Sequence, residues 1–201
     1  MFHARKTPRF LIPSVIGIVC AGRGAGGTFL TLAIASYLSE CKGRKTAVVE
    51  LGKRPALQRM TTRELVAGME SPGFCHQGID CFPNVPSDRI SGFSGASYDR
   101  IVVDVQEPED FLKNRKYFDR IIFLGGTDPW NYEDYERLMH SLLQNQFDYS
   151  AGSFCGKNLS TEMCRRFREE FGQRLLPCPG LADPFTMDDA AERGLSALLR
   201  E

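Results

Sequence analysis

A run of glycines between a short apolar segment and a helical pattern constrains this chain more than any other feature. Ser14 to Cys20 reads SVIGIVC, a continuous apolar run suited to a strand buried on both faces of a parallel sheet. Residues 21–27 form a glycine loop. From Thr28 to Cys41 the sequence TFLTLAIASYLSEC has apolar residues at helical spacing, with Gly43 just past its end where a C-cap belongs. Thr46 to Leu51 (TAVVEL) reads as a second strand. These segments make one βαβ unit with its loop at the carboxyl end of the first strand. Glycines admit positive φ and bring several N–H groups toward one point, and the helix start adds partial positive charge there. The loop is therefore expected to be a nest for phosphate.

The rest of the chain continues the alternation. Met60 to Met69 is expected as a helix broken by Ser71-Pro72-Gly73, Phe74 to Phe82 as an edge strand, and Pro83 to Ser97 as a surface loop. Tyr98 to Val105 (YDRIVVDV) and Phe118 to Leu124 (FDRIIFL) are two strands that both open aromatic-Asp-Arg. A helix is expected from Tyr132 to Gln144, a strand from Asp148 to Phe154, a helix from Ser160 to Phe171 and a short strand from Arg174 to Cys178. Phe185 to Leu199 fits a closing helix capped by Thr186 with Asp189 three residues on. The only tryptophan, Trp130, is expected to pack on the helix that follows it. Strands alternating with helices at this pace predict an α/β fold, a mostly parallel sheet with helices on both faces in a three-layer sandwich.

At 201 residues and 42% apolar content, a single domain over 1–201 is expected. Twenty-five basic residues balance twenty-five acidic ones, so no overall field draws the chain to nucleic acid or an anionic membrane. Seven scattered cysteines include no C-x-x-C pair, and three histidines form no spaced ligand set. Such cysteines suit small buried hydrophobes in a reducing cytoplasm. Arg5, Lys6 and Arg9 ahead of Phe10 to Cys20 imitate a signal peptide, but Pro13 interrupts the run and it turns into the glycine loop. It reads as a basic leader feeding a buried strand. No other segment approaches the ~20 apolar residues of a spanning helix.

Two patterns compete for the loop Cys20-Ala21-Gly22-Arg23-Gly24-Ala25-Gly26-Gly27-Thr28. In G-x-x-x-x-G-K-[ST] a lysine reaches the terminal phosphates and a hydroxyl binds Mg²⁺. That frame fits Ala21 through Thr28, with Gly26 and Thr28 in place and Gly27 where the lysine belongs. The dinucleotide pattern G-x-G-x-x-G fits Gly22, Gly24 and Gly27, with Glu50 at the end of the second strand to meet a ribose.

The run from Val15 to Leu51 resembles the ParA/MinD-type P-loop ATPases, in which a strand enters K-G-G-x-G-K-T and a T-x-A-x-x-L-A helix follows. Tyr98 to Asp104 is similar to that family's strand ending in a switch aspartate, and Phe118 to Pro129 to its next strand and acid-proline loop. The resemblance implies nucleotide contacts at Gly22, Arg23, Gly24, Ala25, Gly26, Gly27, Thr28, Glu50 and Asp104, with Thr28 and Asp104 in the magnesium shell. The departures are specific. Gly22 stands at the signature lysine, Gly27 at the Walker lysine, Glu50 at the first aspartate of the second strand and Gly52 at its second acid. Losing both ammonium groups removes fixed charge from a reaction that is nearly all positioning and charge stabilisation. Arg23 offers one cation, with an arginine's different geometry.

Three readings follow. The first is a catalytically degenerate ParA/MinD-like protein, similar to CpaE/TadZ-type members of tad-type pilus assembly. It would be a cytoplasmic scaffold or localisation factor with protein partners, as a homodimer in the manner of that class, holding ATP or ADP with Mg or, if the loop is only a turn, no cofactor. The second is an NAD(P)-binding oxidoreductase using Gly22, Gly24, Gly27 and Glu50. The third is an active ATPase with an atypical loop. The first implies no catalytic residue.

Overall fold

The computed structural model describes residues 14–52, 56–60, 64–66, 72–95, 97–128 and 131–200. Its strands are β1 (Ser14–Cys20), β2 (Thr46–Leu51), β3 (Glu64–Val66), β4 (Gly73–His76), β5 (Ile79–Val85), β6 (Arg100–Val105), β7 (Arg120–Gly125), β8 (Gly152–Gly156) and β9 (Leu175–Pro177). Its α-helices are α1 (Gly27–Ser36), α2 (Pro108–Asn114), α3 (Tyr132–Gln144), α4 (Thr161–Phe171) and α5 (Asp189–Leu199). Among the described residues the strands form one sheet in the order β3-β4-β5-β2-β6-β1-β7-β8-β9. From β5 to β9 every neighbouring pair is parallel, and the antiparallel β3 and β4 complete one edge.

The apolar runs are buried on both faces because alternate side chains point to opposite sides of a strand. In β1, Val15 and Val19 join one core while Ile16 and Ile18 join the other; in β7, Ile121 and Phe123 divide from Ile122 and Leu124 in the same way. Phe111 of α2, Tyr135 and Leu138 of α3 and Phe167 of α4 close the first core. Leu30 and Ile34 of α1 and Leu195 and Leu198 of α5 close the second. This is the expected α/β sheet covered on both faces. Among the described residues no helix is long and apolar enough to cross a membrane.

The paired aromatic-Asp-Arg openings have a common physical role. Asp119 Oδ2 accepts from Val15 N at 2.8 Å, and Asp99 Oδ2 accepts from Lys45 N at 2.9 Å, so each carboxylate satisfies a backbone donor of the adjoining chain. Tyr98 and Phe118 are buried beside them.

Several boundaries differ from expectation. Glu64–Val66 is a strand where a helix over 60–69 was expected; the flanking residues 61–63 and 67–71 lie outside the described residues. The expected edge strand over 74–82 is a hairpin whose turn places Gln77 (φ 48) and Gly78 (φ 76) in the left-handed region, and its second arm lies inside the sheet against β2. Residues 83–85 extend that arm, and Ser87–Gly95 is a 3-10 helix burying Ile90 and Phe93, so the expected loop is at the surface, with Asp88, Arg89, Ser91 and Gly92 exposed, but has regular structure pinned by two core side chains. The strand expected at Asp148 begins at Gly152, because Asp148 instead accepts from Ser150 N and starts a short 3-10 turn. The closing helix starts at Asp189. Its cap is Asp188, which accepts from Ala191 N at 2.7 Å, while Thr186 donates its hydroxyl to Asp183. Residues 1–13 and Trp130 lie outside the described residues.

Candidate functional site

The glycine loop opens at the carboxyl edge of the sheet, beside β6 and β7. Ala21 N donates to Leu124 O at 2.9 Å, anchoring the loop's entry to β7. Gly24 (φ 76) and Gly26 (φ 98) hold backbone angles that L side chains rarely adopt. Gly26 caps α1 without a side-chain hydrogen bond, so the positive end of the helix is met by backbone alone. A cleft of about 660 Å³ lies over the loop. Gly22, Arg23, Gly24, Ala25, Gly26, Gly27, Thr28 and Asp104 all line it, together with Arg59 and Gln106 from the facing wall.

Thr28 and Asp104, distant in sequence, meet at the cleft floor. The Thr28 hydroxyl donates to Asp104 Oδ2 at 2.5 Å, and Asp104 is 2% exposed. Burial pushes the Asp104 carboxyl up from 3.8 to about 6; the Thr28 hydrogen bond opposes the shift and the charge of Glu50 adds to it. Glu50 sits directly across from Asp104 in the β2–β6 register.

Glu50 does not line the cleft. Fully buried, it accepts at Oε1 from Ala56 N at 2.7 Å, Leu57 N at 3.3 Å and Gln106 Nε2 at 3.0 Å, and at Oε2 from Asn84 N at 3.4 Å. Burial raises its pKa, and the backbone donors partly offset that rise. The carboxylate thus holds the backbone at Ala56 and Leu57 and the end of β5. Gly52, at the second acid position, has φ 135, and a Cβ there would lie 2.6 Å from Gln106 Oε1. An acidic side chain at 52 would meet both backbone strain and that amide.

The two positions without lysine are closed by specific neighbours. A Cβ on Gly22 would lie 2.2 Å from Asp134 Oδ2. One on Gly27 would lie 2.2 Å from Cys20 Sγ and 3.2 Å from Asp104 Oδ1. Cys20 is itself held there, its sulfur accepting from Gly27 N–H, while burial pushes its thiol up to about 12. The loop therefore fits a phosphate group through its glycine backbone, and Thr28 with Asp104 fits a magnesium shell, but the pocket has no room for a lysine stem at 27. Gly27→Lys alone is expected to lower stability by about 1–3 kcal/mol through overpacking, with recovery in the Cys20→Ala/Gly27→Lys pair, read from urea midpoints.

Sequence reasoning did not single out Arg59, Asp134 or Lys157. Lys157 follows Gly156 directly at the end of β8, and the carboxyl ends of parallel strands converge on one edge, so its proximity to the loop was available as a topological signal.

No protein-family model matches the chain, and neither does any curated protein sequence. Solved structures do match. MinD of Aquifex aeolicus in the MinC:MinD cell division complex superposes with a TM-score of 0.65 at 15% identity, covering 94% of this chain and 96% of that one. A ParA family ATPase of Chlorobium tepidum gives 0.65 at 15% identity, covering 92% and 90%. A plasmid partition protein of Borrelia burgdorferi bound to AMPPNP gives 0.63 at 12% identity, covering 94% and 97%. What the chain shares with these proteins is the fold, the mostly parallel α/β sheet of the ParA and MinD P-loop ATPases.

Proposed function

We propose that this chain is a degenerate ParA/MinD-like protein that holds ATP or ADP with Mg²⁺ without turning it over and acts as a nucleotide-gated scaffold. The observation that carries the reading is the Thr28–Asp104 pair at the floor of a glycine-lined cleft whose lysine positions are filled by other groups. Backbone N–H groups of the loop would hold phosphate, and Thr28 with Asp104 would order the metal's shell. Bound magnesium would supply charge neutralisation at the phosphates. Without a lysine from the loop, the charge needed as a phosphoryl bond breaks is reduced, which supports binding over hydrolysis.

A nucleotide-gated scaffold needs protein partners, and the MinC-bound relative supports that part of the reading. We further place the chain, as one domain over 1–201 and cytoplasmic, with the CpaE/TadZ-like members that position a tad-type pilus, acting as a homodimer. The altered loop is what supports this placement. The internal role of Glu50 weighs against the dinucleotide alternative, which needs that carboxylate on a ribose.

Calorimetry with ATP, ADP and NAD in Mg²⁺, alongside a phosphate-release assay, tests the proposal. Micromolar binding of ATP or ADP without release is the expected result. Release at rates typical of an ATPase would overturn the non-hydrolytic part. Silence toward ATP and ADP would overturn nucleotide gating, and NAD binding alone would favour the oxidoreductase.

A further inference from the structure

Beyond the end of β8 the chain turns sharply. Gly156 pairs with Gly125 in the sheet, the Lys157 carbonyl accepts from the Thr127 hydroxyl, and Asn158 takes φ 53, a left-handed angle that asparagine tolerates. The backbone under Lys157 is thus fixed at the same edge of the sheet as the glycine loop. Its side chain extends over the loop. A Cβ on Gly26 would lie 2.6 Å from Lys157 Nζ and 3.3 Å from its Cε.

That position is electrostatically unfavourable by itself. Gly26 is the cap of α1, and the ammonium stands at the positive end of the helix. Among the described residues it forms no ion pair and no hydrogen bond through Nζ. Its field nevertheless reaches the loop, where it lowers the pKa of the Cys20 thiol against the effect of burial. An anion seated between the helix start and Lys157 would turn two repelling positive groups into a clamp.

We infer that Lys157, reaching in from the end of β8, supplies the phosphate-binding lysine that the loop itself lacks. The ligand class is a nucleoside di- or triphosphate, so the inference rests on the nucleotide reading above. The loop provides backbone donors, and the charge that a residue at 27 cannot bring past Cys20 comes from a different strand. Lysine suits this role as a compact charge on a flexible stem, and Lys157 is exposed enough to move onto the phosphate chain.

The test compares Lys157→Ala and Lys157→Met with Lys113→Ala, a control lysine on α2 that is 69% exposed. The probes are Mg-ADP, inorganic pyrophosphate and adenosine, measured by calorimetry at two salt concentrations. Both Lys157 variants should weaken ADP and pyrophosphate about 10- to 100-fold and flatten the salt dependence, leaving adenosine unchanged. Lys113→Ala should change none of these. Unchanged ADP and pyrophosphate affinity in Lys157→Met, which keeps the apolar stem and is expected to keep the fold, would overturn the inference while leaving nucleotide binding intact. Wild-type binding of pyrophosphate but no nucleotide, lost in both variants, would uphold the cation and reject the nucleotide reading. Failure of the wild type to bind either would reject both.

Discussion

Glu50→Ala is expected to cost about 3–5 kcal/mol of folding stability and to lower the melting temperature by roughly 10 °C or more. The variant removes one buried side chain and strands four donors at once, the N–H groups of Ala56, Leu57 and Asn84 and the Gln106 amide. The Leu57 donor is buried, where an unsatisfied group costs about 1–3 kcal/mol; the other three are part-buried and cost less each, and a cavity adds to the sum. Glu50→Gln separates the contributions. Its carbonyl oxygen still accepts at the Oε1 site, its amide meets only the long Asn84 contact, and it removes a charge whose burial is unfavourable. A loss of about 1 kcal/mol or less is therefore expected for Gln. Urea denaturation of the three proteins decides the matter, and equal losses in Ala and Gln would show that the charge, and not the donor count, holds these segments together.

The second large effect has the opposite sign. Asp104 has a folded pKa of about 6 against 3.8 for the ordinary carboxyl. Between those values the folded chain binds the additional proton, so the contribution of Asp104 to stability is most favourable below about pH 4 and is lost as pH rises through 6. Two pKa units correspond to about 3 kcal/mol, fully expressed above the folded value. Asp104→Asn keeps an oxygen to accept from Thr28 and removes the buried charge. It is expected to stabilise the ligand-free protein by about 2–3 kcal/mol at pH 7.5 and by almost nothing at pH 3.5. If the chain holds a nucleotide as proposed, the same variant should lose the magnesium-dependent part of that binding, since a neutral amide cannot order the metal's shell as a carboxylate does. Urea midpoints from pH 3.5 to 8 check the sign. A variant less stable at pH 7.5 than the wild type would mean that the hydrogen bond from Thr28 outweighs desolvation.

The parts of the fold legible in the sequence were those where burial is symmetrical. β1, β2, β6 and β7 are continuous apolar runs because helices cover both faces of the central sheet, and a strand of that kind announces itself without its neighbours. The hairpin between β4 and β5 was hidden because its turn places Gln77, an uncommon residue at positive φ, before Gly78. Residues 87–95 read as loop because Ser and Gly dominate there just after Pro83 and Pro86, while two side chains, Ile90 and Phe93, decide where the segment packs. At the site, Thr28 stood out through the loop pattern, and Asp104 only through the likeness of its strand to the ParA/MinD type. The engagement of Glu50 was not, since its donors come from three separate segments. Nor was the closure of position 27, because Cys20 reads as the last apolar residue of a strand while its sulfur accepts from Gly27 N–H.

The contact between Gly27 and Cys20 also bears on which sequences are reachable from this one. A lysine at 27 must displace a sulfur atom, and a smaller residue at 20 without that lysine leaves a gap beside the helix start. Each half of the exchange is unfavourable until the other is present, so the route to a lysine-bearing loop crosses a valley of less stable intermediates. Drift in a lineage carrying this pair would preserve the glycine at 27 even with no selection against turnover, and close relatives are expected to change positions 20 and 27 together or not at all.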